Sequence, residues 1–199
     1  MPVAGRVVTG YSKPKIADYA CTAGVISYTN GMSLARGVSV EISIDEGDAN
    51  GFYADNQLAE SDGGTFTSGT ATLTVDGLKA NAEKSIQGLP TADDAGFLNY
   101  NDDQNKGYKG IGYITRYQSD GVVTFVPTII VKTKFNQLSR SAQTQEESKN
   151  YQTQQLTARI HRGDDAKHTW LKVSETEYET EAAAEAALNT ALGITNVGG

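Results

Sequence analysis

Along residues 38–44 (VSVEISI), apolar and polar positions alternate, with Val38, Val40, Ile42 and Ile44 on one face and Ser39, Glu41 and Ser43 on the other. A period of two predicts a half-buried β-strand. The strand should stop at DEGDANG, whose Asp, Asn and Gly residues take up turn conformations and bond their own backbone. A long irregular loop is expected over residues 45–62. Alternation resumes over 65–75 (TFTSGTATLTV), a Thr-rich run whose interruption by Gly69 suits a bulge or a close backbone approach. Hairpin connections usually take about 2–5 residues, and connections as long as 45–62 are commonly functional.

Further on, residues 79–87 read as a short helix stopped by Gly88 ahead of Pro90, with Leu78, Ile86 and Leu89 toward a sheet. The Asp-, Asn- and Gly-rich stretch 91–110 reads as surface loop. Strand signals return over 110–117, and Asp120-Gly121 ahead of VVTFVPTIIVKTKF is the strongest hairpin cue in the chain. Pro127 cannot donate to a ladder, so the second strand should bulge or run along an edge there. Residues 139–152 are polar throughout and read as loop; 153–162 and 169–174 read as strands around a turn at 163–168. Residues 181–192 (EAAAEAALNTAL) form the best helix signal, with Thr180 or Thr176 as N-cap and Gly193 as stop.

A chain of 199 residues with 21 Gly and 4 Pro predicts one turn-rich domain spanning 1–199, with a C-terminal helical extension at about 179–199. No run approaches the roughly 20 apolar residues of a membrane-spanning helix, and MPVAGRVVTG lacks a signal-peptide pattern. Expected are a protein without a membrane anchor and synthesis in a reducing cytoplasm, which the solitary Cys21 suits. The net charge of −7 argues against a protein that grips nucleic acid, since gripping draws on clustered Lys and Arg. It does not forbid a surface past which DNA slides.

Chemistry-bearing patterns are sparse, and no catalytic residue, metal ligand set or cofactor is expected. His161 and His168 flank a polar turn, the setting of solvated loop residues. No Gly-x-Ser-x-Gly, HExxH or phosphate-cradling glycine loop occurs. Glu46, Asp48, Asn50 and Gly51 match the start of a calcium loop, but Gln57 stands where its bidentate Glu belongs. The RGD at Arg162 to Asp164 is three residues that suit any turn. Two further classes stay open: a carbohydrate- or receptor-binding β-sandwich using exposed Tyr residues, and a hydrolase using Asp93, Asp94, Asp102 and Asp103. Long Thr-rich strands, the stretch 45–62 and the polar segment after Phe135 are surfaces suited to assembly.

The order of segments carries a resemblance over nearly the whole chain. GYSKPKIADYA, GVISYTNGMSLARGVSVEISI, GFYADNQLAE, the Thr-rich strand with VDGLKANAEKSIQGL, then GYKGIGYITRYQSDGVVTFVPTIIVKTKF and TQEESKNYQTQQLTARI are similar to the major tail proteins of siphovirus-type phages. That resemblance implies a mainly β fold with minor α: an antiparallel β-sandwich or barrel-like tail tube fold with a flanking helix and a C-terminal helix. It implies a structural virion protein and no enzyme, whose hexameric rings stack into a tube for DNA ejection. Its partners would be further copies of itself, tape measure, tail terminator and distal tail proteins, and DNA in transit. Its place would be the virion tail, after synthesis in the host cytoplasm.

On that resemblance, Ser39, Glu41, Ser43, Thr65, Thr67, Thr70, Thr72 and Thr74 are expected to line the lumen, because a hydroxyl and carboxylate wall without ordered Lys or Arg avoids capturing phosphates. The loop at 45–62 is expected to join rings through Phe52, Tyr53, Asp55, Asn56 and Leu58, aromatics being common interface anchors.

Overall fold

The computed structural model describes residues 5–47, 50–54, 57–62, 65–144 and 152–195, and of 50–54 and 57–62 the backbone course. The chain opens with a hairpin of β1 (Val7–Thr22) and β2 (Val25–Ser33), turned at Ala23 and Gly24 with φ of 50° and 77°. Then follow β3 (Gly37–Glu46), β4 (Asn50–Ala54), β5 (Gln57–Asp62), β6 (Phe66–Val75) and α1 (Ala80–Gln87). The remaining elements are β7 (Lys109–Ser119), β8 (Val122–Phe135), β9 (Gln154–His161), β10 (Leu171–Val173) and α2 (Glu181–Ala191). The fold is thus mainly antiparallel β with minor α. Neither described helix is long and apolar enough to cross a membrane.

One sheet runs in the order β2-β1-β7-β8-β9-β6-β3, with β10 beside β8, while β4 and β5, among the described strands, pair only with each other. The sheet curls, so that residues of its distant strands meet in one core: Ile16 of β1, Ile111 of β7, Ile130 of β8, Leu156 of β9 and Leu73 of β6 all lie at or near zero exposure. Ala82 and Ile86 of α1 join this core, and Leu78 and Leu89 are packed or buried beside them. Gly88 ends α1 in the left-handed region at φ 59°, where a side chain would be strained; any Cβ there would also strike the Asn105 carbonyl.

The opposite face of β1, β7 and β8 is covered by α2. Ala184, Leu188 and Leu192 pack with Ala17, Ile114 and Ile129 into a second apolar cluster. Thr180 caps the helix, its Oγ1 accepting the Ala183 N–H at 3.2 Å, and Gly193 follows with φ of 62°. A seat for the helix exists because β7 carries Gly112 there: a Cβ would meet Leu192 at 2.6 Å and Leu188 at 2.7 Å.

The hairpin expected at Asp120-Gly121 is present, both residues having positive φ (48° and 83°), as a turn matching strand twist requires. Pro127 is accommodated without a bulge. A strand residue's N–H and C=O point the same way, and the Pro127 carbonyl accepts the Ser174 N–H at 2.9 Å. The missing donor therefore faces away from β7, where β10 has run out.

The irregular loop expected over 45–62 is corrected. Asp45 and Glu46 still belong to β3, and 50–54 pairs antiparallel with 57–62, Ala54 opposite Gln57. Polar side chains hid a strand pair whose backbone ladder does not depend on an apolar face.

Candidate functional site

Antiparallel pairing fixes which side chains share a face. Register sets Ser39 opposite Thr74 and Thr74 opposite Gln155; Glu41, Thr72 and Thr157 form the next row, and Ser43, Thr70 and Arg159 the third. Directly opposed side chains lie with Cβ atoms about 4.5–5.5 Å apart, so these rows make one continuous surface. The intervening positions, Ala71, Leu73, Val75, Leu156, Ala158 and Ile160, are buried in the core, which is why the rows face outward.

All eight hydroxyl and carboxylate residues expected on a lumen wall sit on this side. Ser39, Glu41, Ser43, Thr65, Thr67 and Thr70 are exposed, and Thr72 and Thr74 half-buried. A register shift at the Asp45–Glu46 end of the β3–β6 ladder puts Phe66 in the core, stacked on Trp170 with centroids 4.6 Å apart, so Thr65 and Thr67 keep the outward side. Thr67 Oγ1 donates to the Asp45 carbonyl at 2.7 Å, and Ser68 Oγ to its carboxylate at 2.9 Å. Gly69 allows a close backbone approach, since a Cβ would lie 2.7 Å from the Ser43 carbonyl.

Sequence reasoning missed the continuation of the surface into β9 and β8. The alternation of QLTARIH, with Leu156, Ala158 and Ile160 inward, was enough to place Gln155, Thr157, Arg159 and His161 outward. One consequence runs against the expected absence of ordered Lys and Arg. Arg159 extends the Thr70 row and Lys134 of β8 stands opposite it, while Lys132 stands opposite His161.

Lys132 and Lys134 gather around Tyr108. Its ring lies 4.5 Å from Lys132 Nζ and 5.7 Å from Lys134 Nζ, and edge-on to His161 at 5.3 Å. Lys132 is neutralised by both oxygens of Asp164, at 2.7 and 2.8 Å. Among the described residues, neither Lys134 nor Arg159 meets a carboxylate, and Lys106 bonds only the Gln137 amide, at 2.8 Å. Desolvation first, then Arg159, Lys132 and Lys134, hold the His161 imidazole below its ordinary 6.5 and hence neutral near pH 7. Desolvation, aided by Lys134, likewise lowers the Lys106 ammonium. The result is a basic margin on an otherwise hydroxyl- and amide-rich face.

The other sequence candidates separate. Phe52 and Tyr53 belong to β4 and Leu58 to β5, whereas Asp55 and Asn56 lie outside the described residues, as does Asp48. In the RGD, Arg162 donates to the Phe66 carbonyl and Asp164 holds Lys132 and Tyr19, so these side chains serve the fold. Asp93 is spent on its own loop, accepting from Ala95 and Phe97 N–H and from Asn99. Among the described residues, no three His, Cys, Asp or Glu side chains gather as a metal site.

A separate cleft of about 650 Å³ lies between α1 and the β1–β2 hairpin. It is lined by Asp18, Asn30, Asn81, Asn105, Tyr19 and Tyr108, among others. Lys109 pairs with the Asp18 carboxylate there; although burial alone would raise that carboxyl, the bonds from Lys109 and Asn30 hold it below its ordinary 3.8.

No protein-family model matches the chain, and no curated protein matches it.

Proposed function

We propose that this protein is a structural subunit that self-assembles into a tube, as the major tail proteins of long-tailed phages do, with the β3–β6–β9 face turned to the lumen. The observation that carries the reading is where that face ends. β3 is an edge strand of ten residues, bonded to β6 alone among the described strands, and it holds no Lys, Arg or Pro to discourage pairing. An unprotected edge of that length is a template for another chain, and closure of a ring removes such edges. At the other end of the order stands a second open edge, β2.

The chemistry of the face fits passage of a polyanion. Serine, threonine and glutamine hydroxyls and amides predominate in its three rows, with Glu41 in the middle row, and its cations are confined to the margin at Arg159 and Lys134. The rows of Ser39, Thr74 and Gln155 and of Glu41, Thr72 and Thr157 carry no cation, so they offer little counterion release to hold DNA. On this reading the β4–β5 hairpin, inserted between β3 and β6 and outside the main sheet, joins one ring to the next. Static light scattering over a concentration series tests the reading: the mass should climb through a ring to long polymers, whereas a single-chain mass at every concentration contradicts it.

The polar cleft beside α1 favours a second reading, binding of a carbohydrate through Asn and Asp hydrogen bonds and a Tyr face. Shifts of Asn30 and Asn81 amide signals on adding an oligosaccharide panel would support it; an unchanged spectrum would remove it.

A further inference from the structure

Lys134 and Arg159 present a difficulty that the fold itself does not solve. They stand directly opposite each other on neighbouring strands, both exposed, and like charges so placed repel. Lys106 adds a third cation close enough to Lys134 to be perturbed by it. Two neighbouring cations are matched, Lys132 by Asp164 and Lys109 by Asp18. In a chain of net charge −7, three cations without a carboxylate among the described residues form a local excess of positive charge.

The complementary excess is in the chain too. Residues 50–62, which hold the hairpin, contain Asp55, Glu60 and Asp62 and no Lys, Arg or His. The hairpin within this stretch pairs with itself and not with the main sheet. We infer that the acidic β4–β5 hairpin of one copy docks on the Lys106–Lys134–Arg159 cluster of a second copy. The inference rests on the self-assembly reading and names the partner of its joining element. Complementary charge at such a contact sets register and rejects wrong pairings, because misaligned copies bring like charges together. Docking would also cover Arg159 and Lys134, the two cations that a polyanion passing over the face would otherwise meet.

The contact is heterologous, one surface giving and a different one receiving, so it propagates along a stack and does not close a dimer. That geometry makes a mixing experiment decisive. One variant reverses the cluster (Lys134→Glu with Arg159→Glu), and the other reverses the hairpin (Glu60→Lys with Asp62→Lys). Lys134 and Arg159 are exposed, and thermal melts verify that both variants fold. Alone, each should need a roughly tenfold or greater rise in concentration to assemble at low salt. Mixed in equal amounts they should assemble again in alternation, because each supplies the surface that the other has lost.

Assembly of both single variants at the wild-type concentration overturns the docking and leaves the tube standing. Loss in each variant with no rescue on mixing, or rescue only when both reversals are in one chain, also overturns it, the latter because the pairing is then within a subunit. A wild-type protein that never self-associates overturns the docking and the assembly reading together.

Discussion

The ammonium of Lys15, 2% exposed, lies 2.7 Å from Oε1 of Glu185 and so ties β1 to α2. Lys13 reaches the other carboxylate oxygen at 3.2 Å, and Ser12 donates to Glu181 one turn earlier. Helix and first strand are therefore joined by polar bonds at the rim of the apolar cluster that Leu188 and Leu192 build. Removing one partner of a buried pair is more damaging than removing both, since a charge is stranded. Glu185→Gln should cost about 2–3 kcal/mol, below the fully buried range because the glutamate keeps part of its surface in water. Lys15→Met should cost less, as the carboxylate it leaves can be hydrated. Urea melts of the two variants measure the difference, and the reverse order would show that the pair does not control docking.

The same pair gives a pH dependence. Burial alone would raise the Glu185 carboxyl, but the bonds and charges of Lys15 and Lys13 outweigh it and hold the group below its ordinary 4.5. A carboxylate lowered in the folded state contributes stability that is present above its unfolded pKa and lost as pH falls through the folded one. The wild type should therefore lose more stability than Glu185→Gln on acidification from about pH 5 to about pH 3. Parallel losses in the two proteins would contradict the assignment.

Gly88 supplies a test of the fold at one atom. Its φ of 59° and the Asn105 carbonyl over it leave no room for a methyl group, so Gly88→Ala should destabilise by roughly 2 kcal/mol or more, beyond the ordinary value for a surface Gly→Ala change. Differential scanning calorimetry reads this directly, and a melting temperature equal to wild type would contradict the geometry.

His161 reports on the basic margin. Its proton NMR titration should fall below 6.5, and neutralising Arg159 or Lys134 by Gln should move it upward. A titration at or above 6.5 that ignores both substitutions would mean the cations do not face the ring.

Much of this was legible in the chain. The alternation at 38–44 and 65–75 identified β3, β6 and their outward rows, and Asp-Gly and Gly88 marked a hairpin and a helix end. β1 escaped notice because Lys13 has a φ of 54°, Pro14 follows, and the register shifts between Ser12 and Lys15. The bulge breaks the period of two, and Lys15 is inward although charged, so polarity misleads there. The basic margin was illegible for another reason: Tyr108, Lys134 and Arg159 are far apart in sequence and meet only through the β8–β9 ladder.

Adding charge to the polar rows separates fold from passage. Thr70→Lys with Thr72→Lys should change stability by no more than about 0.5 kcal/mol, since both side chains point outward. Assembled wild-type protein should release DNA freely, whereas the variant should retain it in a salt-dependent manner. Equal retention by the two would place the rows away from any conduit.

The central claim is that copies of this chain build a tube around the β3–β6–β9 face. Electron microscopy of the concentrated wild-type protein tests it most directly, with gold labels on a cysteine introduced at Thr72. The account predicts hollow tubes of stacked rings whose walls exclude the gold from outside. Dispersed single subunits, or tubes decorated with gold along their outer surface, would contradict it.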